Sequence, residues 1–228
     1  MTATLTSPSR HGADERHGAD GRITLYGIGW DAYESFIDSL GERPVHVNYD
    51  EGAMEIMTIS SEHEAAKKRV AMLIEYLALV LRMPLAARGS TTFKDKRIHK
   101  GAEPDECYYI ANEAKIRRKK KIDLRKDPPP DLVVEIDISY HEVDREAIYA
   151  EMGVPELWRY DGKRLGFFAL SNRDWKPIDR SRSFPMLRPE DMNRFLRMAP
   201  RKDDTSLRWA FADWVGAQAW AKSSDRGA

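Results

Sequence analysis

Apolar and polar positions repeat with two different periods along this chain, and the switches between them lay out its elements. Trp30, Tyr33, Phe36, Ile37 and Leu40 recur at helical spacing, predicting a helix over Trp30 to Leu40. Val45 to Tyr49 and Met54 to Met57 flank Asp50-Glu51-Gly52 and read as a hairpin. From Ser61 to about Met83, Ala66, Val70, Leu73, Leu77 and Val80 form one apolar stripe, a long helix that Pro84 ends. Short strands are predicted at Leu85–Arg88, Thr91–Phe93 and Glu106–Ile110, and a longer one at Leu132–Ser139. A helix over Val143 to Met152 stops at Gly153. A second hairpin, Glu156–Tyr160 with Arg164–Leu170, turns at Asp161-Gly162, a type I′ signal. Pro189–Met198 and Ser206–Ala221 read as helices. Helices and strands interleaved in this order predict an α/β protein, a central mixed sheet flanked by helices and packed as one domain over residues 23–221.

Either side of that core the periodicity vanishes. Residues 1–22 hold the tandem repeat HGADER and HGADGR and read as a disordered leader, in which His11, Asp14, His17 and Asp20 form at most a weak metal site. Residues 222–228 read as a disordered tail. At 228 residues, one full core is the natural size.

Charge narrows the function. The chain has zero formal net charge, so no global field draws it to nucleic acid or to an anionic membrane. The local exception is Lys115 to Lys126, with eight basic residues and one acid. Within it Lys115, Arg117, Arg118, Lys119, Lys120 and Lys121 could follow a phosphate backbone, or form only a solvated loop. A single cysteine, Cys107, excludes an internal disulfide and any multi-cysteine metal site. No apolar run approaches the roughly 20 residues that span a bilayer, and no signal peptide is visible, so the cytoplasm is the expected compartment.

Candidate chemistry sits on the strand Leu132–Ser139. Side chains alternate between faces, so Glu135 and Asp137 share one face with Val133. Two carboxylates on one face of a Val/Ile-rich strand repel each other and are costly to desolvate, and a hard cation such as Mg²⁺ relieves both. An edge strand with one solvated face would tolerate the same residues. Asp105 of Pro104-Asp105 opens the strand before it and could reach a shared metal. The rival Asp131 lies only four residues before Glu135 and cannot supply a second element. Glu64 stands at the start of the long helix, where Ser61-Glu62-His63-Glu64 also reads as a capping box. Arg145, near the start of the helix after the strand, is either a cation aimed at the carboxylates or an exposed partner of its neighbours. His63 and His141 lack H-x-x-x-H spacing, and no phosphate-binding loop, G-x-G-x-x-G or G-x-S-x-G occurs, so neither a zinc helix nor a nucleotide cofactor is expected.

The stretches NYDEGAMEIMTISSEHE, PLAARGSTTF, GAEPDECYYIANEAKI, PPPDLVVEIDIS and DREAIYAEMGVPELWRYDG, in this order over about residues 25–170, resemble the bacterial restriction endonuclease domains of the Uma type, in the PD-(D/E)XK superfamily. The resemblance implies a restriction-endonuclease-like core, Mg²⁺ or Mn²⁺ at its edge, and DNA phosphodiester hydrolysis. Glu64 matches the helix glutamate, Asp105 the Pro-Asp aspartate and Glu135 the strand acid, together the expected metal ligands. Asp137 stands where the pattern has lysine, and Arg145 occupies the position from which a helix lysine can substitute. Loss of that lysine keeps a second reading open, an inactive nuclease fold that binds nucleic acid or protein, and RNA or nucleotide hydrolysis is a third. DNA is the implied partner, a homodimer is left open, and no membrane is expected.

Overall fold

The computed structural model describes residues 20–41, 43 and 45–224. In chain order it contains β1 (Gly21–Leu25), α1 (Trp30–Leu40), β2 (His46–Asp50), β3 (Ala53–Thr58), α2 (Ser61–Val80), β4 (Ala86–Ala87), β5 (Phe93–Asp95) and β6 (Lys100–Ala102). There follow β7 (Glu106–Tyr109), α3 (Glu113–Ile116), β8 (Leu132–Ile136), α4 (Arg145–Glu151), β9 (Glu156–Tyr160), β10 (Leu165–Ser171) and β11 (Asp174–Pro177). A last helical pair, α5 (Pro189–Met198) and α6 (Asp204–Ser224), is joined by a 3-10 turn over Ala199–Arg201.

The strands form two sheets rather than the single one expected. One has the order β1-β3-β2-β6-β5 and is antiparallel throughout; the other runs β11-β10-β9-β8-β7-β4 and is parallel only between β8 and β9. A parallel pair needs a crossover, and α4 supplies it. All five residues of β8 are buried, so it is a central strand with two covered faces and not an edge. Leu132, Val134 and Ile136 pack with Val70, Leu73 and Leu77 of α2 and Phe195 and Phe211 of the C-terminal helices. Val133 packs on the other face with Cys107, Leu157 and the α4 residues Ile148 and Tyr149, together with Phe93 and Ala102 of the first sheet. Helix α1 closes the far side of the first sheet through Trp30, Tyr33 and Tyr49. There Gly101 is required, because a Cβ would fall 2.0 Å from the Tyr33 hydroxyl.

Several expectations shift. The first strand begins at Gly21 and pairs with β3, so Asp20, Gly21 and Arg22 of the expected leader are part of the fold; His11, Asp14 and His17 lie outside the described residues. Helix α6 runs through Ser224, into the expected tail. Strand β8 stops at Ile136, and one further bond, Asp137 N to the Tyr160 carbonyl (2.7 Å), ends its pairing. The Asp161-Gly162 turn is a four-residue loop closed by the Asp161 carboxylate, which accepts from the amides of Lys163 and Arg164. Only Gly162 there has positive φ, so it is not type I′. Among the described residues no helix is long and apolar enough to cross a membrane.

Candidate active site

Burial of β8 on both faces forces Glu135 into the interior, where it is 2 % exposed. Strands β7 and β8 pair with Glu106 opposite Val134, so continuing the register by one residue sets Asp105 opposite Glu135 on the same face. Asp105 is fully buried. Its Oδ2 accepts from the amide of Ile136 (2.7 Å), and its Oδ1 lies 2.8 Å from His63 Nε2. Glu135 Oε1 accepts from the Tyr149 hydroxyl (2.6 Å), and Oε2 lies 2.5 Å from Arg145 Nη1. Both Tyr149 and Arg145 come from α4, whose first turn is fixed by Asp144 Oδ1 accepting from the Ala147 amide. The crossover helix thus carries a guanidinium to the end of the strand it follows.

Asp137, less buried, lies 3.5 Å from Arg145 and 2.6 Å from His141 Nε2. That same imidazole nitrogen is 2.7 Å from Arg145 Nη2. It can serve only one of the two: with a proton on Nε2 it donates to Asp137, without one it accepts from Arg145. Glu135, Asp137, His141, Arg145 and Arg159 line a surface cleft of about 460 Å³.

The network continues beyond the cleft. The other nitrogen of His63 lies 3.1 Å from Asp20 Oδ2, and Asp20 also accepts from the Ser60 amide (2.7 Å) and the Ser139 hydroxyl (2.9 Å). On the far side, Glu55 lies 3.3 Å from Arg22 Nε and 3.6 Å from His141 Nδ1, and accepts from the Glu142 amide. Five carboxylates, Asp20, Glu55, Asp105, Glu135 and Asp137, therefore share the guanidinium groups of Arg22 and Arg145 and the imidazoles of His63 and His141.

Burial opposes every charge in this network, and partners decide the outcome. Burial pushes Glu135 well above the usual carboxylate range, and the charge of Asp105 beside it adds to this, in spite of the Arg145 guanidinium. Asp105 is driven the other way. Burial raises it, but His63, Arg145 and the Ile136 amide together bring it down to about 2. Burial would lower His63, yet its bonds to Asp105 and Asp20 raise it to about 9, so it is a cation at neutral pH. For Asp137 too, burial is outweighed, by His141 first and then by Arg145 and Arg159, and the carboxyl lies below its ordinary value.

Of the residues singled out in the sequence, Asp105, Glu135, Asp137 and Arg145 converge here. Glu64 does not. Helix α2 is capped one residue earlier than expected, by Ser60, whose hydroxyl accepts from the His63 amide (3.2 Å). That phase turns His63 inward and leaves Glu64 half-buried beside Lys67 (3.2 Å) and Lys68 (3.5 Å) of its own helix. Glu64→Ala is expected to change stability by less than about 0.5 kcal/mol in a urea titration, the range of an exposed helix pair. The rival Asp131 is structural, accepting from the amides of Ile110 and Asn112 (2.7 and 2.9 Å).

The basic segment lies apart from this cluster. It follows β7 and precedes β8, so it lies at the opposite end of this strand pair from Asp105 and Glu135. Lys119, Lys120 and Lys121 line a separate cleft of about 840 Å³ with Trp30, Lys94 and Arg125. Arg117 is paired with Glu113 (2.6 Å) and Lys119 with Asp127 (2.5 Å), which leaves Lys115, Arg118, Lys120 and Lys121 as exposed cations without a carboxylate partner among the described residues. Sequence reasoning missed Tyr149 and Glu55, set His63 and His141 aside for want of zinc spacing, and left Asp20 in the leader; His63 and Tyr149 were open to detection from helix phase, as inward-facing polar positions.

Fold and site together define a mixed α/β protein with a buried carboxylate–arginine cluster at the end of the parallel β8–β9 pair. The chain belongs to the Uma2 family, described as "Putative restriction endonuclease", whose profile matches residues 30–197. Three solved chains match. One is a crystal structure described as "a putative nuclease belonging to DUF820" from Anabaena variabilis, at 15 % identity and TM-score 0.49, covering 73 % of this chain and 98 % of that one. No protein of curated function matches.

Proposed function

We propose that this chain is a metal-dependent endonuclease that hydrolyses DNA phosphodiester bonds in the cleft lined by Glu135, Asp137 and Arg145. The observation that carries this reading is the convergence of Asp105, Glu135 and Asp137 from adjacent strands beneath one fixed guanidinium. The family and its description agree with a nuclease.

The donor set fits a hard divalent cation. Glu135 Oε2 is buried and makes no hydrogen bond of acceptable geometry, while Asp137 opens onto the cleft. The cluster also holds more carboxylates than guanidinium and imidazole cations. Among the described residues no group of three or more ligands stands ready-made. Mg²⁺ accepts that situation, since it is commonly held by one or two carboxylates, with waters and substrate oxygens completing the octahedron. Asp105, Glu135 and Asp137 would hold it, in place of the Glu64 set. When bound, the metal supplies an acidified water and a positive centre for the phosphate.

The chain's own residues do the rest. Arg145 keeps its proton throughout and offsets charge gathering on phosphate oxygens; it cannot act as a base. Tyr149 and the Ile136 amide hold the two carboxylates at fixed angles. Strand β8 spans about 13 Å at ~3.3 Å per residue, the rise of about four base pairs, so one DNA molecule is long enough to engage both the cleft and Lys115–Lys121. The cytoplasm is the compartment such a substrate suggests.

Plasmid nicking tests this directly. Mg²⁺ or Mn²⁺ should convert supercoiled plasmid to open circles, EDTA should stop it, and Glu135→Gln should lower the rate roughly a hundredfold or more. The close Glu135–Arg145 contact favours one rival, a nuclease fold that binds DNA without cutting it. Equal persistence of plasmid with wild type and Glu135→Gln across a metal series would establish that rival.

A further inference from the structure

The loop between β8 and α4 is tied down on all sides. Asp137 N donates to the Tyr160 carbonyl, Ser139 to Asp20, and Glu142 N to Glu55, and Asp144 caps α4. Yet Tyr140, in the middle of this anchored loop, is 79 % exposed while its neighbours line the cleft with it. A second ring stands near it: Tyr26 is 52 % exposed, and its hydroxyl donates to Glu142 Oε1 (2.7 Å) of the same loop. Neither ring contributes to a core cluster. Two exposed aromatic faces therefore flank one rim of the cleft whose floor holds Glu135 and Arg145.

We infer that this rim is a stacking platform for an unpaired nucleobase, with Tyr140 as its principal ring, so that the substrate class is DNA with unstacked or single-stranded nucleotides beside the scissile phosphate. This rests on the nuclease reading of the cleft. A base offers its flat face to a protein ring only when it has left the duplex stack, and stacking of one base on an aromatic side chain is sequence-tolerant. The anchored loop favours this use, because with its backbone neighbours already held, only the side-chain rotamer of Tyr140 remains to be ordered when a base lands on it. Arg159, partly exposed and lining the same cleft, is the nearest cation to the rim, where it pairs with Glu146 (2.5 Å).

Fluorescence anisotropy with a labelled oligothymidylate and a duplex of equal length, measured in EDTA so that nothing is cut, provides the test. Tyr140→Ala should weaken single-strand binding about fivefold or more, the lower bound for one stacked base, and leave duplex binding within twofold. Tyr140→Phe and Tyr26→Phe, which keep the rings, should stay within twofold of wild type for both. Because Tyr140 is so exposed, the alanine variant should fold normally, with an unchanged far-UV circular dichroism spectrum and melting temperature. Single-strand binding indifferent to Tyr140→Ala, or an equal loss for both oligonucleotides, overturns the platform while sparing the nuclease reading. If the wild type binds neither, the platform falls, and the nuclease reading is decided by the plasmid assay with metal.

Discussion

Replacing Arg145 with alanine is expected to destabilise the protein by about 3–5 kcal/mol, the range for deleting one partner of a buried ion pair. The side chain is 4 % exposed and lies against Glu135, Asp137 and His141; Asp137 opens onto the cleft, but Glu135 cannot turn to water for compensation without opening the cluster. Most of the loss comes from leaving Glu135 uncompensated, not from the attraction itself. Glu135 can escape by keeping its proton, and burial already pushes it in that direction. The sign follows. In the variant its folded-state pKa rises further, so the native state holds a proton that the unfolded chain has released above about pH 4.5, and stability falls as pH rises. Urea midpoints for Arg145→Ala should therefore lie closer to wild type at pH 5 than at pH 8. Arg145→Lys should recover part of the loss, because an ammonium keeps the charge but not the planar fork. A pH-independent deficit would mean that packing of the guanidinium stem, and not charge, sets its value. If Arg145→Ala is as stable as wild type at pH 8, the buried pair is not formed.

This pairing was half legible in the sequence. The alternation of Leu132 to Ile138 fixes which residues share a face with Glu135, and Val/Ile richness marks a covered strand, which β8 is. The helix start placed Arg145 within reach. What the local pattern does not reveal is irregular and long-range pairing. The stripe of Ala66, Val70, Leu73 and Leu77 puts His63, not Glu64, on the inward face, and the cap at Ser60 in place of Ser61 leaves Glu64 without the capping role it was given. Asp20 sits in a segment with no apolar period, so nothing local reveals that its carboxylate joins β1 to α2 and the β8–α4 loop. The hairpins divide in the same way. Glu51-Gly52 carries glycine where φ is +108° and was readable. Asn172-Arg173 makes the turn between β10 and β11 with both residues at positive φ, and arginine gives no such signal, so β11 went unseen. Strand β6 is Lys-Gly-Ala and fully buried, and its Lys100 is neutralised by Asp50 and Glu151 from other elements. Such pairing is tertiary and leaves no period in the chain.

The Asp20–His63–Asp105 chain should make stability fall across the mildly alkaline range. His63 titrates at about 9 in the folded protein, against an ordinary value of 6.5. A base whose pKa is raised by folding contributes its full stabilisation below 6.5; the contribution declines as pH climbs from there and is gone once pH has passed about 9. The shift corresponds to roughly 3 kcal/mol at 1.36 kcal/mol per unit. Asp105, brought down to about 2, reports largely the same contact from its other end, so the two are not summed. The charged and titratable groups facing His63 are Asp20, Asp105 and, more distantly, His46, which burial keeps below its ordinary value and thus neutral. Urea titrations in EDTA at pH 6.5, 8 and 9.5 should show wild type losing about this amount. His63→Gln should begin less stable and show a much flatter profile, because an amide can donate to one of the two aspartates but cannot carry the proton. Parallel profiles for the two proteins would mean that His63 is neutral between its aspartates and that Asp105 is held by the Ile136 amide and Arg145 alone. The outcome bears on function, because His63 fixes the charge and orientation of Asp105, the buried carboxylate that stands beside Glu135 behind the cleft. In metal sites such support from behind a ligand typically changes affinity by roughly 10–100-fold.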